Sequence, residues 1–352
     1  MQDFQTKIEV FADIPSHWLY MPEGDAGSRA ENAIADFTSL SGLVSLKLWN
    51  GKCTPIQIEA FDKLSCHKHF SKIQKKRASR IALPRTFIRL SATINYTASE
   101  LEQLIKNDSS TDSAREWTME ERTYLYVDMA CREFHSFFMD LYLALSIAHP
   151  GAIYFWECWQ FANESFLRGE HGAMTSFDFA RERAEKLKWP EIHTLNMLDA
   201  YEWLTKVPGF SDRRGVGPVG RAIAALSYLI KMKSKDENEL SLVWALLGLE
   251  ALFGQGNVGL KAQLLEKSEA LLGPRHENKK VFGKMYDFRS RLLHGDVDLL
   301  YQHNLHDADP AYEKIWDELY ECEQLATAIL LSTLQNLCRR NSYSLEFEYT
   351  LR

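Results

Sequence analysis

The chain of 352 residues is longer than one average domain of roughly 100 to 200 residues, which favours two modules. Its 45% apolar and 25% charged residues are typical of a globular protein and exclude a disordered or fibrous one. The net charge of -7 excludes a protein that coats nucleic acid through bulk electrostatics, so any nucleic-acid site must be local.

The first residues lack a basic region followed by an apolar one, and the longest apolar stretch, Leu242 to Phe253, is shorter than the ~18 residues that span a membrane. We therefore expect a cytoplasmic protein without membrane contact. The six cysteines lie far apart, which predicts reduced, mostly buried thiols. Neither Cys66-His67-Lys68-His69 nor the pair His303 and His306 has the second ligand pair of a closed zinc site, so we expect no metal and no cofactor.

Residues 1 to about 115 mix short β-branched runs with turn signals, which predicts an α+β module. Apolar and polar residues alternate in Thr54 to Phe61 and in Thr86 to Tyr96, as they do in half-buried strands. The run KIEVFADI at residues 7–14 predicts a further strand. Residues 107–113 are small and polar and predict a linker or a surface loop.

A capping-box pattern, Thr118 followed by Glu121, predicts the start of one long helix that closes at Pro150-Gly151. The next segment, AIYFWECWQF at residues 152–161, is dense in aromatic side chains. It suits a buried strand or a buried helix, and its pattern alone does not decide between them.

The rest of the chain is predicted to be nearly all helix, because apolar residues recur at helical spacing in six segments joined by short connections. Such connections favour antiparallel neighbours in a bundle. The class is therefore α+β, with an N-terminal mixed α/β module at 1–190 and an all-α bundle at 191–345. The six segments are Glu191 to Val207, Val219 to Lys233, Glu237 to Phe253, Gly259 to Leu272, Lys279 to His294 and Asp309 to Cys338.

Nine lysines and arginines, with no Asp or Glu among them, lie between Lys63 and Arg89. In an acidic chain such a local excess can contact RNA phosphates as a positioning surface. The alternative is a solvated surface helix followed by a strand. The candidate RNA-binding residues are Lys72, Lys75, Lys76, Arg77 and Arg80.

Three glycines, Gly215, Gly217 and Gly220, fit the G-x-G-x-x-G pattern. No strand is predicted before them, so the context of a dinucleotide site is missing. The alternatives are a plain flexible loop and a loop whose backbone amides hold a phosphate at a helix N-terminus. Three arginines flank the loop: Arg213, Arg214 and Arg221.

The segment MYDFRSRLLHGD, at 285–296, places Arg289 and His294 five positions apart and Gly295 directly after them. On an ideal helix five positions turn through about 500°, so the two side chains point about 140° apart. Gly295 can adopt the left-handed conformation that ends a helix and re-aims His294. A cation and an imidazole at one helix end can bind a phosphate and transfer protons near neutral pH. The alternative is a solvated arginine and a capping histidine.

Glu250 interrupts an otherwise apolar helix, where a carboxylate is costly to bury unless it is paired. Our hypothesis is that Glu250 orients Arg289. The alternative is a carboxylate that faces solvent or pairs with a lysine. For the neighbouring Tyr286 and Asp287 we expect core packing and solvation, respectively.

Three blocks follow one another in order: LVWALLGLEALFG at 242–254, KAQLLEKSEALLG at 261–273 and KMYDFRSRLLHGD at 284–296. Together they resemble the Apea-like branch of the HEPN superfamily. That branch shows a Leu-Glu-x-Leu helix, a second helix, and then Tyr-Asp-x-Arg-Ser ending in His-Gly. The last block is matched by Arg289, Ser290, His294 and Gly295; HEPN nucleases in general often have Asn, Asp or His after the arginine, and serine is usual in this branch.

The resemblance implies a metal-independent endoribonuclease that works on RNA as a homodimer, with two Arg/His pairs facing one another. His294 would assist proton transfer as the ribose 2'-hydroxyl attacks, Arg289 would stabilise the phosphoryl charge, and Glu250 and Ser290 would support them. It also implies a role in microbial anti-phage or toxin-like defence, with an N-terminal module that binds a regulatory protein or ligand or guides the substrate. The rival is a non-catalytic HEPN scaffold for dimerisation or nucleotide binding.

Overall fold

The computed structural model describes residues 3–14, 26–61, 86–107, 117–171, 176–232, 240–254, 259–275, 279–297 and 310–347. The chain divides into two compact units, one of Met1–Tyr142 and Ile153–Gly172, the other of Leu143–Ala152 and Ala173–Arg352. The α+β class is confirmed, because a five-stranded sheet is accompanied by many helices. The division differs from the predicted 1–190 and 191–345 in giving residues 143–152 and 173–190 to the second unit.

The first unit is built on an antiparallel sheet with the strand order β4-β5-β1-β6-β7. Strands β1 and β5 pair along their whole length, and β1 pairs with β6 at its other edge. Strands β2 and β3 form a separate pair, so the predicted strand at 54–61 is divided between two sheets. The strands are β1 Asp3–Ile14, β2 Ser45–Lys47, β3 Cys53–Pro55, β4 Gln57–Phe61, β5 Thr86–Thr97, β6 Glu157–Ala162 and β7 Ser165–His171.

Aromatic side chains from three neighbouring strands form a core cluster in this sheet. Trp159 and Phe161 lie two residues apart on β6 and therefore on the same face. Phe11 on β1 meets Phe161 edge to face, with ring centroids 5.5 Å apart, and Phe87 on β5 completes the cluster. The part of the aromatic segment that pairs with β1 is thus a buried strand.

The helices of the lower-numbered residues are α1 Ala26–Ser39, α2 Ala98–Asn107 and α3 Met119–Ala148. The predicted capping box at the start of α3 is confirmed. The backbone N–H of Thr118 donates to Glu121 at 3.0 Å, and the N–H of Glu121 donates back to the Thr118 hydroxyl at 3.2 Å. Of the predicted loop at 107–113, all but Asn107 lies outside the described residues.

In the second unit, the last helix packs against the six before it. The predicted helix at Glu191 begins later, at Met197, because the Asn196 side chain caps it by accepting the N–H of Asp199 at 3.1 Å. The helix at residue 178 was not predicted. The helices are α4 Asp178–Leu187, α5 Met197–Lys206, α6 Gly217–Met232, α7 Ser241–Phe253, α8 Leu260–Leu272, α9 Lys279–His294 and α10 Pro310–Arg339.

Gln335 on α10 is fully buried and uses its amide to bind two other segments of this unit. Its Nε2 donates to the carbonyl oxygens of Ile147 at 2.7 Å and His193 at 2.8 Å, and its Oε1 accepts the N–H of His193 at 2.9 Å. A buried polar group is stable when its partners are all supplied, as they are here. The amide therefore fixes both segments against α10.

Replacing Gln335 by leucine should lower the free energy of unfolding by about 2–5 kcal/mol, because the buried carbonyl oxygen of Ile147 and the half-buried N–H and carbonyl oxygen of His193 lose their partner. The measurement is urea denaturation followed by circular dichroism. The control is Asn336→Ala, since among the described residues the Asn336 amide donates only to Ser332 of its own helix; this change should cost less than about 1 kcal/mol. Equal effects of the two substitutions would contradict the assigned role of Gln335.

Candidate functional site

Helix α9 carries the arginine and the histidine of the motif and ends as predicted. Phe282, Met285 and Phe288, spaced three residues apart, are buried and anchor one face of the helix. Gly295 has φ 79°, in the left-handed region. The N–H of the next residue, Asp296, donates to the carbonyl oxygen three residues before His294 at 2.8 Å, which closes the helix end.

Helix α7 lies close to its neighbours because Gly248 has no side chain. A Cβ added there would lie 3.0 Å from both δ-carbons of Leu330 on α10 and 3.4 Å from the Cβ of Ala225 on α6. The same helix carries Glu250, whose side chain is 16% exposed. The close approach at Gly248 thus determines where this half-buried carboxylate lies.

Glu250 meets two side chains of α9, and we call Glu250, Tyr286 and Arg289 the Glu250 cluster. The Tyr286 hydroxyl donates to Glu250 Oε1 at 3.1 Å. Arg289 Nη2 lies 3.3 Å from Oε1 and 3.5 Å from Oε2 of the same carboxylate. The Arg289 guanidinium carbon lies 5.6 Å from the centre of the Tyr286 ring, within cation–π range. The structure therefore brings Glu250 and Arg289 together, as the hypothesis requires.

Burial, the negative charge of Glu250 and the hydrogen bond to it all raise the pKa of Tyr286, whereas the Arg289 charge lowers it in part. The phenol therefore keeps its proton and remains a donor. The two Arg289 contacts are longer than the ~2.7–2.9 Å of a charge-assisted hydrogen bond. Arg289 Nε is also buried, and among the described residues it has no acceptor. Arg289 is thus held loosely.

His294 and Ser290 are not part of the Glu250 cluster. His294 is exposed as the last residue of α9, and Ser290 is half-buried one position after Arg289. Within the described ranges, neither side chain makes a hydrogen bond or an ion pair. The predicted catalytic pair therefore shares a helix but not a network of contacts.

Sequence reasoning missed the hydroxyl of Tyr286 as a partner of Glu250. The available signal was the spacing, since Tyr286 and Arg289 are three residues apart and share one helix face. Asp287 is exposed, as expected, but it forms an ion pair with Lys261 at 2.7 Å.

The five candidate RNA-binding residues, Lys72, Lys75, Lys76, Arg77 and Arg80, lie outside the described residues. Arg89, at the end of the same basic stretch, lies on β5 of the first unit. Its guanidinium forms an ion pair with Glu59 and lies 3.7 Å from Glu9. Two carboxylates therefore hold this arginine.

The glycines of the G-x-G-x-x-G segment have a packing role. A Cβ on Gly215 would lie 3.1 Å from both the Cβ of Ala224 and the carbonyl oxygen of Gly220, so the loop lies directly against α6. Gly217 has φ 69° and begins α6. Close approach and a positive φ explain these glycines without a bound phosphate.

Across the residues that the structure describes, no group of three His, Cys, Asp or Glu side chains is arranged to hold a metal ion. Within the same ranges, no helix is long and apolar enough to cross a membrane. The described cysteines are free thiols, four buried and one, Cys53, exposed.

A double-mutant cycle tests the hydrogen bond in the Glu250 cluster. Tyr286→Phe should lower the free energy of unfolding by about 1 kcal/mol, because a half-buried donor to a carboxylate is lost. In a Glu250→Ala background the same change should have almost no effect. Tyr343→Phe, which removes an exposed hydroxyl that donates to Asn341, is the control and should be close to neutral in both backgrounds. Additive effects of Tyr286→Phe and Glu250→Ala would show that the two side chains are not coupled.

Gly248 and Gly283 give opposite predictions for the same substitution. Gly283→Ala should stabilise the protein by about 0.5–1 kcal/mol, because the site is open and alanine favours a helix. Gly248→Ala should instead lower the stability by about 1 kcal/mol or more, since the new methyl group presses on Leu330. Thermal unfolding measures both. A stabilising Gly248→Ala would mean that α7 and α10 are not in close contact there.

The chain was compared with protein-family models, with curated proteins and with solved structures, and none of the three comparisons found a match.

Proposed function

We propose that the protein is a metal-independent endoribonuclease of the HEPN type that acts as a homodimer. The observation that supports it best is the contact between two blocks of the resemblance. Glu250, from the Leu-Glu-x-Leu block, lies within ion-pair distance of Arg289, from the Tyr-Asp-x-Arg-Ser block, although they are 39 residues apart. A carboxylate that orients the arginine of the motif is what this function needs.

In the proposed reaction the ribose 2'-oxygen attacks the adjacent phosphorus and the bond from phosphorus to the 5'-oxygen breaks. A base takes the 2'-hydroxyl proton and an acid gives a proton to the 5'-oxygen, with His294 assisting these transfers. Arg289 stabilises the charge that develops on the phosphoryl oxygens. The products are a 2',3'-cyclic phosphate and a 5'-hydroxyl end, and DNA, which lacks the 2'-hydroxyl, is not cut.

The dimer is proposed from the resemblance and is supported by the surface beside His294. Leu293, its neighbour at the end of α9, is 50% exposed. An exposed leucine next to an exposed histidine suits a contact with the same helix end of a second copy. Such a contact would bring the two Arg/His pairs face to face.

The biological setting is proposed from the resemblance alone. It indicates a cytoplasmic protein of microbial anti-phage or toxin-like defence. The first unit would then bind a regulatory protein or ligand, or guide the RNA.

A non-catalytic scaffold for dimerisation or nucleotide binding is the second candidate. One observation favours it: His294 is exposed at a capped helix end and lies outside the Glu250 cluster. That is the position of a residue kept for capping.

The test is incubation of the purified protein with mixed cellular RNA in EDTA. The parent should produce 2',3'-cyclic phosphate ends, and Arg289→Ala or His294→Ala should reduce the rate about 100-fold or more. Arg289→Lys should restore little activity, since an ammonium lacks the planar fork of donors.

Lys284→Ala is the matched control, because Lys284 is an exposed cation on the same helix. It should cut RNA at the parent rate. If neither the parent nor the control cuts RNA, and overproduction of the parent is harmless to the cell, the scaffold is the better conclusion.

A further inference from the structure

A groove of about 580 Å³ opens on the second unit between α6 and α7. Arg221, Ala224 and Tyr228 line it from one face of α6, spaced three to four residues apart. Trp244 and Glu250 line it from α7. The volume lies within the roughly 300–1,000 Å³ of sites that bind small molecules.

An aromatic surface forms one part of the groove. Tyr228 and Trp244 stack with ring centroids 4.1 Å apart and an angle of 11° between the ring planes. Tyr228 is nevertheless 49% exposed, so much of its surface remains open to solvent. A flat, open ring backed by a second ring is suited to stacking with a nucleobase, and such stacking tolerates any base.

A cation, Arg221, lies on the same face of α6, two helical turns before Tyr228. The Nε of Arg221 donates to the carbonyl oxygen of Gly217 at 3.2 Å, which fixes the direction of the side chain. No carboxylate of the described residues forms an ion pair with Arg221, which is exposed. The other guanidinium donors can therefore bind a phosphate.

The groove also reaches the candidate active site. Glu250 lines the groove and, through the same carboxylate, contacts Arg289 and Tyr286. A ligand in the groove is therefore separated from Arg289 by one side chain.

We infer that this groove holds one nucleotide of a single-stranded RNA, with its base against Tyr228 and its phosphate on Arg221. The inference rests on the proposed ribonuclease function, because it assigns the place where the substrate strand is held beside the Glu250 cluster. A free mononucleotide offers the same chemistry, and a second copy of the chain could cover the exposed ring, so the experiment has an arm for each.

The experiment is fluorescence anisotropy with a labelled 2'-O-methyl oligoribonucleotide, which keeps the bases and phosphates but cannot be cut. Tyr228→Ala should weaken binding about five- to 150-fold, the loss expected for one stacked base. Tyr228→Phe keeps the ring and should bind like the parent. Tyr124→Ala removes a tyrosine that is 69% exposed in the first unit and should have no effect.

Arg221→Glu provides an independent arm that does not alter the aromatic pair. It should weaken binding and reduce the slope of log affinity against log salt by about 0.7, the value for one phosphate contact on a single strand. Arg340→Glu, a charge reversal at another exposed arginine of the second unit, should leave the slope unchanged.

Binding of the oligonucleotide that is unaffected by Tyr228→Ala and Arg221→Glu would overturn the inference, as would no binding by the parent. If the parent binds AMP but not the oligonucleotide, the groove is a site for a free nucleotide and the inference is overturned. If Tyr228→Ala lowers the mass measured by light scattering, the ring is covered by a second copy and the inference is likewise overturned. Loss of oligonucleotide binding in both variants supports it. If the parent binds in this way but does not cut unmodified RNA, the proposed ribonuclease function fails while the groove assignment stands.

Discussion

The burial of helix α10 is the constraint on which the rest of the second unit depends. Helices α4 to α9 all pack against it, so the second half of the helix is covered on every side. Burial of apolar side chains alone would leave α10 free to slide along its neighbours, because the hydrophobic effect has no preferred direction. The enclosed amide of Gln335 removes that freedom, since its three hydrogen bonds to Ile147 and His193 are satisfied in one arrangement only.

The candidate site follows from this packing. Because Gly248 lets α7 approach Leu330 of α10 closely, Glu250 lies half-buried on an otherwise apolar helix. A carboxylate in that position is costly unless donors reach it. Helix α9, anchored by its own buried face, supplies them from Tyr286 and Arg289. The ion pair is thus a consequence of how three helices pack around one another.

Local features were predictable from the sequence, and contacts between distant segments were not. The capping box at Thr118, the strand at Thr86 and the left-handed Gly295 depend on residues within a few positions, and all three are confirmed. The aromatic segment at 152–161 remained ambiguous because pairing with β1, almost 150 residues earlier, makes part of it a strand. The hydroxyl of Tyr286 and the groove beside Trp244 depend on which helices lie side by side, which no local pattern contains.

The chemistry proposed for Arg289 requires its guanidinium to bind Glu250 between reactions and a phosphate during one. The two anions compete for the same donors, so the ion pair must be weak enough to exchange, and its separations of 3.3 and 3.5 Å agree with that. If Arg289 left Glu250 to bind a phosphate, a half-buried carboxylate would lose its cation, which is costly. Tyr286 removes this difficulty, because it donates to Glu250 independently of Arg289 and its raised pKa keeps the proton in place. In the proposed reaction, Tyr286 would therefore be the side chain that allows Arg289 to serve both the fold and the substrate.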